Sequence, residues 1–347
     1  MRKKYTIKDI AEKAGVSKGT VDRVIHKRGR VSEAALKKVN EVLEAIDFKP
    51  NLIAKNLKNN KVYKIAVLLP DPKIDYYWEA CVVGVQNVIK ELGMFGVDIE
   101  TVYFNPTDTD SFEIANAAVL DSDPNAVLLA PLFFEQATEA IQKYSERNIL
   151  VATFNNDIGN TNTTSFIGQD LQQSGRVAAK LLHSICNEGE LGIFHIDEKY
   201  ENAVFMQEKE KGFLSYFESQ KDYKNNIAVC HLNQGDFDLS FAEFLEKHSQ
   251  LTGIFVTTSK TFQIAAFLEK NNLENIPLVG YDLLGENVSY LQKGTIDFLI
   301  HQNPKQQTYF GLKYLVEHFL FEKEIPKQIL LPIDIINSEN VVPFMRD

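Results

Sequence analysis

An all-α head followed by a two-lobed α/β body is the fold class this sequence predicts. Three observations carry it. The first sixty residues repeat apolar side chains at helical spacing, with capping residues between the runs. From Val62 onward, short apolar runs alternate with amphipathic stretches, the pattern of strands and helices in turn. The charge divides at the same place: residues 1–61 hold 16 Lys+Arg and 7 Asp+Glu, whereas the other 286 residues hold 21 and 40. A head of net +9 is thus joined to a body of net −19, although the 347-residue chain as a whole carries −10. Such asymmetry suits either a head that meets phosphate or a basic face that is merely solvated.

Composition narrows the class further. At 44% hydrophobic and 24% charged, the chain has ordinary globular values, which excludes wholesale disorder. No apolar run approaches the roughly 18 residues of a membrane span, so no membrane partner is expected. The basic N-terminus has no apolar segment behind it, so a cytoplasmic location is expected. Cys81, Cys186 and Cys230 are odd in number and far apart, and read as reduced core thiols.

In the head, Thr6 is a good cap for a helix whose inner face is Ile7, Ile10, Ala11 and Ala14. Gly15 permits a left-handed turn, and Ser17 caps a second short helix that packs back through Val21, Val24 and Ile25. A third helix begins near Ser32, with Ala35, Val39, Val42, Leu43 and Ile46 facing inward. Two short helices around a tight turn, then a third, is the helix-turn-helix plan. The stretch from Thr6 to Val24, TIKDIAEKAGVSKGTVDRV, together with VLEAIDFKPN at 42–51, strongly resembles the DNA-binding head of the lactose-repressor family.

The resemblance implies roles residue by residue. The recognition helix starts at Ser17, with Lys18, Gly19 and Arg23 at the base-reading positions. Lys and Arg suit guanine, whose O6 and N7 both accept. Gly19 has no side chain and leaves reading there to backbone or water. Thr6, Ser17, Thr20 and Ser32 are placed toward phosphate, and Arg30 toward backbone or a base edge. Asp22 departs from the small residue usual in the family; it accepts from cytosine, orients Arg23, or is a simple exposed charge. Asn51 opens a segment that becomes a hinge helix on DNA in the family, where a leucine wedges between base pairs in the minor groove. Leu57 matches that wedge and Ala54 the small residue beside it. Leu52 stands where a polar residue is common, and a plain linker is the alternative for this segment.

The body predicts strands at 63–70, 98–103, 126–130, 149–154, 191–196, 227–232, 252–257, 277–281 and 296–301. Helices are expected at 79–92, 111–120, 135–147, and near 172–187, 202–219, 237–248, 261–271 and 304–321. About 285 residues is long for one doubly wound sheet, so two lobes are expected. The segments Asp75–Trp78, Phe154–Asp157, Gly168–Arg176, Val279–Asp282 and Gly294–Gln302 resemble the periplasmic sugar-binding-protein fold that this family carries behind its head, in its ribose-binding-like branch.

The domain organisation that follows is a head at 1–50, a hinge and linker at 51–61, and an effector domain at 62–347. Its first lobe comprises about 62–167 and 303–329, its second about 168–302 and 330–347. The resemblance implies a ligand between the lobes at the carboxyl ends of strands. A polyol suits the matched residues: sugar hydroxyls take planar bidentate partners, and sugar ring faces take aromatic plates. Tyr77 and Trp78 are stacking candidates or core packing, beside Asp75. Asn155, Asn156, Asp282 and Gln302 are hydrogen-bonding candidates, with a loop cap the alternative for Asp282. Phe133 and Thr258 are further candidates from neighbouring loops. Asn155 replaces a common Asp, and Gln207 stands where the branch usually has Arg, so the resemblance does not imply ribose itself.

No P-loop, dinucleotide fingerprint, zinc-protease helix or nucleophile elbow occurs in the sequence. Cys230 and His231 are neighbours on an expected strand and point to opposite faces. Neither an enzyme nor a cofactor or metal is expected. The expectation is a ligand-responsive transcriptional regulator, by family default a repressor. As a homodimer it binds a near-palindromic operator and couples that site to a sugar-like effector. A solute-binding protein is the alternative for the body alone.

Overall fold

The computed structural model describes residues 5–25, 29–46, 62–159, 161–196, 203–220, 226–233 and 235–345. The chain divides into two compact units, Met1–Asn60 and Lys61–Asp347. The expected hinge residues Asn51, Ala54 and Leu57 lie outside the described residues.

The head contains α1 (Ile7–Ala14), α2 (Lys18–Ile25) and α3 (Glu33–Ala45). Thr6 and Asp9 close a reciprocal capping box on α1, the side chain of each accepting from the backbone N–H of the other at 3.3 and 2.7 Å. Gly15, at φ +63°, ends the helix in the left-handed conformation that glycine adopts without penalty. Ile10, Val21 and Val39, one from each helix, are fully buried in a common core, and Val42, Leu43 and Ile46 pack against it.

The body is built on two six-stranded sheets. The strands of the first are β1 (Tyr63–Pro70), β2 (Val97–Phe104), β3 (Ala126–Leu129), β4 (Leu150–Phe154), β5 (Ser165–Gly168) and β11 (Gln328–Leu330). They run parallel in the order β11-β5-β4-β3-β1-β2. The second holds β6 (Glu190–Ile196), β7 (Ile227–Leu232), β8 (Leu251–Val256), β9 (Leu278–Tyr281), β10 (Phe298–His301) and β12 (Asp334–Ile336). Its order is β12-β10-β9-β8-β6-β7, with only β12 antiparallel.

Helices cover both faces of each sheet, which is why central strands such as β1 are apolar along their whole buried length. On the first sheet, α4 (Glu79–Leu92) and α12 (Pro304–Phe321) share one core, and α5 (Thr109–Asp121) and α6 (Phe134–Glu146) form the other. On the second, α9 (Phe237–Lys247), α10 (Thr261–Lys270) and α11 (Gly285–Lys293) lie opposite α7 (Leu171–Ile185) and α8 (Val204–Glu218). Every strand and helix expected within the described residues is present, and those of the body end within two residues of expectation. The sequence reading lacked β5, β11, β12 and α11.

Glycine sets two helix contacts that bear on function. A Cβ on Gly84 would stand 2.2 Å from Thr308 Oγ1 and 2.3 Å from the Lys305 carbonyl, so α4 and α12 touch backbone to backbone. Gly175 and Gly212 do the same for α7 and α8: their added Cβ atoms would lie 2.0 Å from the carbonyls of Lys209 and Gln172 respectively. Any larger residue at either position would push α7 and α8 apart.

Three segments join the lobes: Gly168 to Leu171, His301 to Pro304, and Leu330 to Asp334. One side chain ties all three. Gln169 leaves the first segment, and its amide nitrogen donates to the carbonyls of His301 at 2.9 Å and Pro332 at 2.6 Å.

Candidate functional site

The head and the body each offer a candidate surface. On α2, Val21 and Val24 point inward, which turns Lys18, Gly19, Asp22 and Arg23 to the exposed side. Ser17 caps the helix: its Oγ accepts from the Thr20 N–H at 3.1 Å and hydrogen-bonds the Thr20 hydroxyl at 2.9 Å. The Arg23 Nε donates to the Gly19 carbonyl at 3.1 Å, so the guanidinium lies back over the glycine. Thr6, Ser17 and Ser32 are exposed at helix starts and Thr20 is half-buried; Thr6 and Ser17 spend hydroxyl hydrogen bonds on capping. Arg30 is exposed just before α3.

In the body, two strand ends face each other across the lobes. Asn155 follows β4 and Asp282 follows β9, at φ +68° and +66°. Both sit in the left-handed region, which Asn and Asp tolerate better than other side chains. Both are buried. A hydrogen-bonded chain runs between them through the start of α12. Asn155 donates from Nδ2 to the Tyr77 hydroxyl and from its backbone to Gln307 Oε1. Gln307 Nε2 donates to the Gln302 carbonyl at 2.7 Å, and Gln302 donates to both Asp282 oxygens, from Nε2 at 2.7 Å and from its backbone at 3.2 Å. Asn287, fully buried, donates to the carbonyls of Ser259, Tyr281 and Asp282 and so holds the loops after β8 and β9 in place.

Tyr77 and Trp78 form one wall. Asp75 caps this short turn, accepting from the Tyr77 N–H and from the Trp78 indole N–H, both at 3.1 Å. The two rings meet edge to face at 4.9 Å, and Trp78 also abuts Phe154. Trp78 is therefore a packed wall of fixed orientation as well as a core side chain.

The opposite wall holds the group that sequence reasoning missed. Lys209, on α8, is 1% exposed; its Nζ donates to the Thr257 carbonyl at 2.9 Å and lies 3.6 Å from the centre of the Tyr281 ring. Burial lowers its ammonium from an ordinary 10.5 to about 7, against the pull of the Asp282 carboxylate. Burial likewise raises the Asp282 carboxyl, opposed first by Lys209 and then by His301. It also holds the Tyr77 hydroxyl well above its usual range.

The cleft enclosed by these groups is about 40 Å³. Of the expected ligand residues it brings together Asp75, Tyr77, Trp78, Asn155, Thr258, Asp282 and Gln302, and adds Lys209, Phe205 and Lys260. Three expected residues lie elsewhere. Phe133 is drawn into an aromatic cluster with Phe104 and Phe112, at 6.1 and 5.8 Å. Asn156 lines a neighbouring chamber, because its backbone turns away directly after Asn155. Gln207 precedes Lys209 by two helical positions, about 200° round the helix, so only one of the two can face the cleft.

Comparisons with known proteins agree with this division. The family described as bacterial regulatory proteins, lacI family, matches residues 6–51, and the periplasmic binding protein domain matches residues 65–323. The ribose operon repressor of Lactococcus lactis is 25% identical over 63% of this chain and 65% of that protein, so the match spans slightly less than two thirds of the relative. Catabolite control protein A of Priestia megaterium is 23% identical over 74% of both chains. The crystal structure of a Bacteroides fragilis protein described as a LacI transcriptional regulator superposes with a TM-score of 0.76 at 27% identity, covering 81% of this chain and 99% of that one. With its helix-turn-helix head and two-lobed periplasmic binding protein domain, the chain belongs to the lacI family of bacterial regulatory proteins.

Proposed function

We propose that this chain is a ligand-responsive DNA-binding regulator, and a repressor, of carbohydrate genes. It acts in the cytoplasm as a homodimer on a near-palindromic operator and closes its lobes on a sugar or sugar derivative. The observation that carries the reading is the polar bracket across the cleft. Asp282 accepts, Lys209 donates, and the Tyr77–Trp78 wall offers apolar ring edges, the groups that recognise a polyol. The relative named a ribose operon repressor supports the same class of effector.

In the head, Lys18 and Arg23 read base edges from the major groove, with Arg30, Thr6, Ser17, Gly19 and Thr20 setting the approach. Asn51, Ala54 and Leu57 complete the hinge. In the body, the chain Tyr77–Asn155–Gln307–Gln302–Asp282 links both lobes at the start of α12. An effector that engages Asp282 and Asn155 together favours one lobe arrangement over the other. A differential of about 1–3 kcal/mol between arrangements changes operator affinity by roughly 5–150-fold.

Titration of monosaccharides, sugar acids and sugar phosphates, read by Trp78 fluorescence and thermal unfolding, tests the body. A cognate effector at about 100 times its Kd adds roughly 2.7 kcal/mol of stability. A compound that stabilises the fold and leaves Trp78 silent would remove this cleft as the effector site.

A further inference from the structure

Gly19 is the second residue of α2, and Arg23 stands four residues on, about one helical turn away. Both are exposed on the side that the buried Val21 and Val24 leave to solvent. Glycine is the weakest helix former after proline, so inside this eight-residue helix it costs stability. The place of its missing side chain is not empty. Long helical side chains lean back toward the N-terminus, and Arg23 does so until its Nε donates to the Gly19 carbonyl at 3.1 Å. A Cβ on Gly19 would stand 3.8 Å from Arg23 Nη2. The guanidinium therefore lies along the strip of helix surface that a side chain at 19 would cover. A second glycine borders the stem: Gly29, at φ +66°, would bring a Cβ to 3.5 Å from Arg23 Cδ.

This fold-back carries the guanidinium toward the start of α2, by about one 5.4 Å turn from the level of its own Cα. It also spends Nε. The paired Nη groups are left as the edge that can meet O6 and N7 of guanine together. An arginine held in this way before DNA arrives gives up less side-chain freedom on binding.

We propose that Gly19 and Arg23 form one reading unit. Gly19 makes no base contact of its own; by leaving its strip of helix open and offering its carbonyl, it fixes which base pair Arg23 reads, the one facing the first turn of α2. The proposal rests on the reading of α2 as the base-reading helix.

The test selects an operator from a random library with the full chain. Competition binding to every single-base variant of that operator follows at low salt, where phosphate contacts keep weakened complexes measurable. Wild type is compared with Arg23→Ala, Gly19→Ala and Gly19→Leu, each checked for folding by circular dichroism and thermal melting. Arg23→Ala loses roughly 5–150-fold of preference at one base pair. Gly19→Ala keeps that preference, because its Cβ meets Arg23 at ordinary contact distance. Gly19→Leu carries three further carbons into the strip and loses the preference at the same base pair, although Arg23 is intact. Adding Arg23→Ala to Gly19→Leu then takes nothing further from that pair. Preference retained in Gly19→Leu, or lost equally in Gly19→Ala, overturns the proposal alone. A uniform loss over all operator variants in Arg23→Ala removes Arg23 as a base reader, and the proposal with it.

Discussion

Lys209→Met isolates the most consequential charge in the cleft. Met nearly conserves the volume and removes the ammonium. In the folded chain burial lowers Lys209 from 10.5 to about 7, a gap worth about 5 kcal/mol. Between those two pH values the unfolded chain holds a proton on Lys209 that the folded chain does not. Wild-type stability therefore rises with pH across this window, and the deficit is complete below about 7. The variant lacks this rise. Its Asp282 has also lost the ammonium that most favours its charged form; this loss leaves the carboxyl still higher and makes the variant's stability fall with pH where Asp282 titrates. Both effects widen the difference in the same direction. Urea unfolding at pH 7, 8, 9 and 10, followed by Trp78 fluorescence, measures it. The stability of wild type minus variant increases by up to about 1.4 kcal/mol per pH unit. A difference constant within about 1 kcal/mol over that range would show that Lys209 is not a buried, depressed ammonium.

Three further substitutions probe the framework and the head. Gly212→Ala places a Cβ 2.0 Å from the Gln172 carbonyl, which costs about 1–3 kcal/mol and moves Lys209, weakening effector binding; unchanged melting and affinity would show that α8 can shift freely. Tyr77→Phe leaves the buried Asn155 amide without its acceptor, destabilising the body by about 1–3 kcal/mol in urea unfolding; a neutral result would mean that Asn155 finds another partner. Arg23→Ala relaxes base preference at one operator position by about 1–3 kcal/mol in competition binding; a uniform loss across all sequences would make Arg23 a phosphate contact instead.

Much of this architecture was legible in the sequence because its signals are strong and local. The buried parallel strands are continuous apolar runs, and the head carries caps, a turn glycine and a helical stripe in sequence. The missed elements have weaker signals. β5, β11 and β12 are three or four residues long, too short for a period, and are strands only because a neighbouring edge accepts them. α11 buries only Asn287, Val288 and Leu291 among its nine residues, so its stripe hardly shows.

The site divides along the same line. Residues at strand ends, such as Asn155 and Asp282, follow directly from where their strands stop. Lys209 does not: in QEKEKG it reads as one more solvated charge on a polar helix. Its burial comes from the Gly175–Gly212 contact that presses α8 against α7, a tertiary effect. Spacing offered one usable clue, since Lys209 shares a helix face with the buried Phe213 while Gln207 does not. Phe133 is ambiguous in the sequence because an aromatic in a loop can serve a ligand or a core equally well; in the structure it packs with Phe104 and Phe112.

The central claim is that sugar in the cleft and DNA on the head are coupled. The direct measurement selects DNA from a random library with the full chain. It then follows operator anisotropy and Trp78 fluorescence in one sample as effector is added at constant salt. The account predicts a near-palindromic selected site, and operator affinity that shifts by roughly 5–150-fold over the concentration range in which Trp78 responds. Saturation of Trp78 with no change in operator affinity would contradict it.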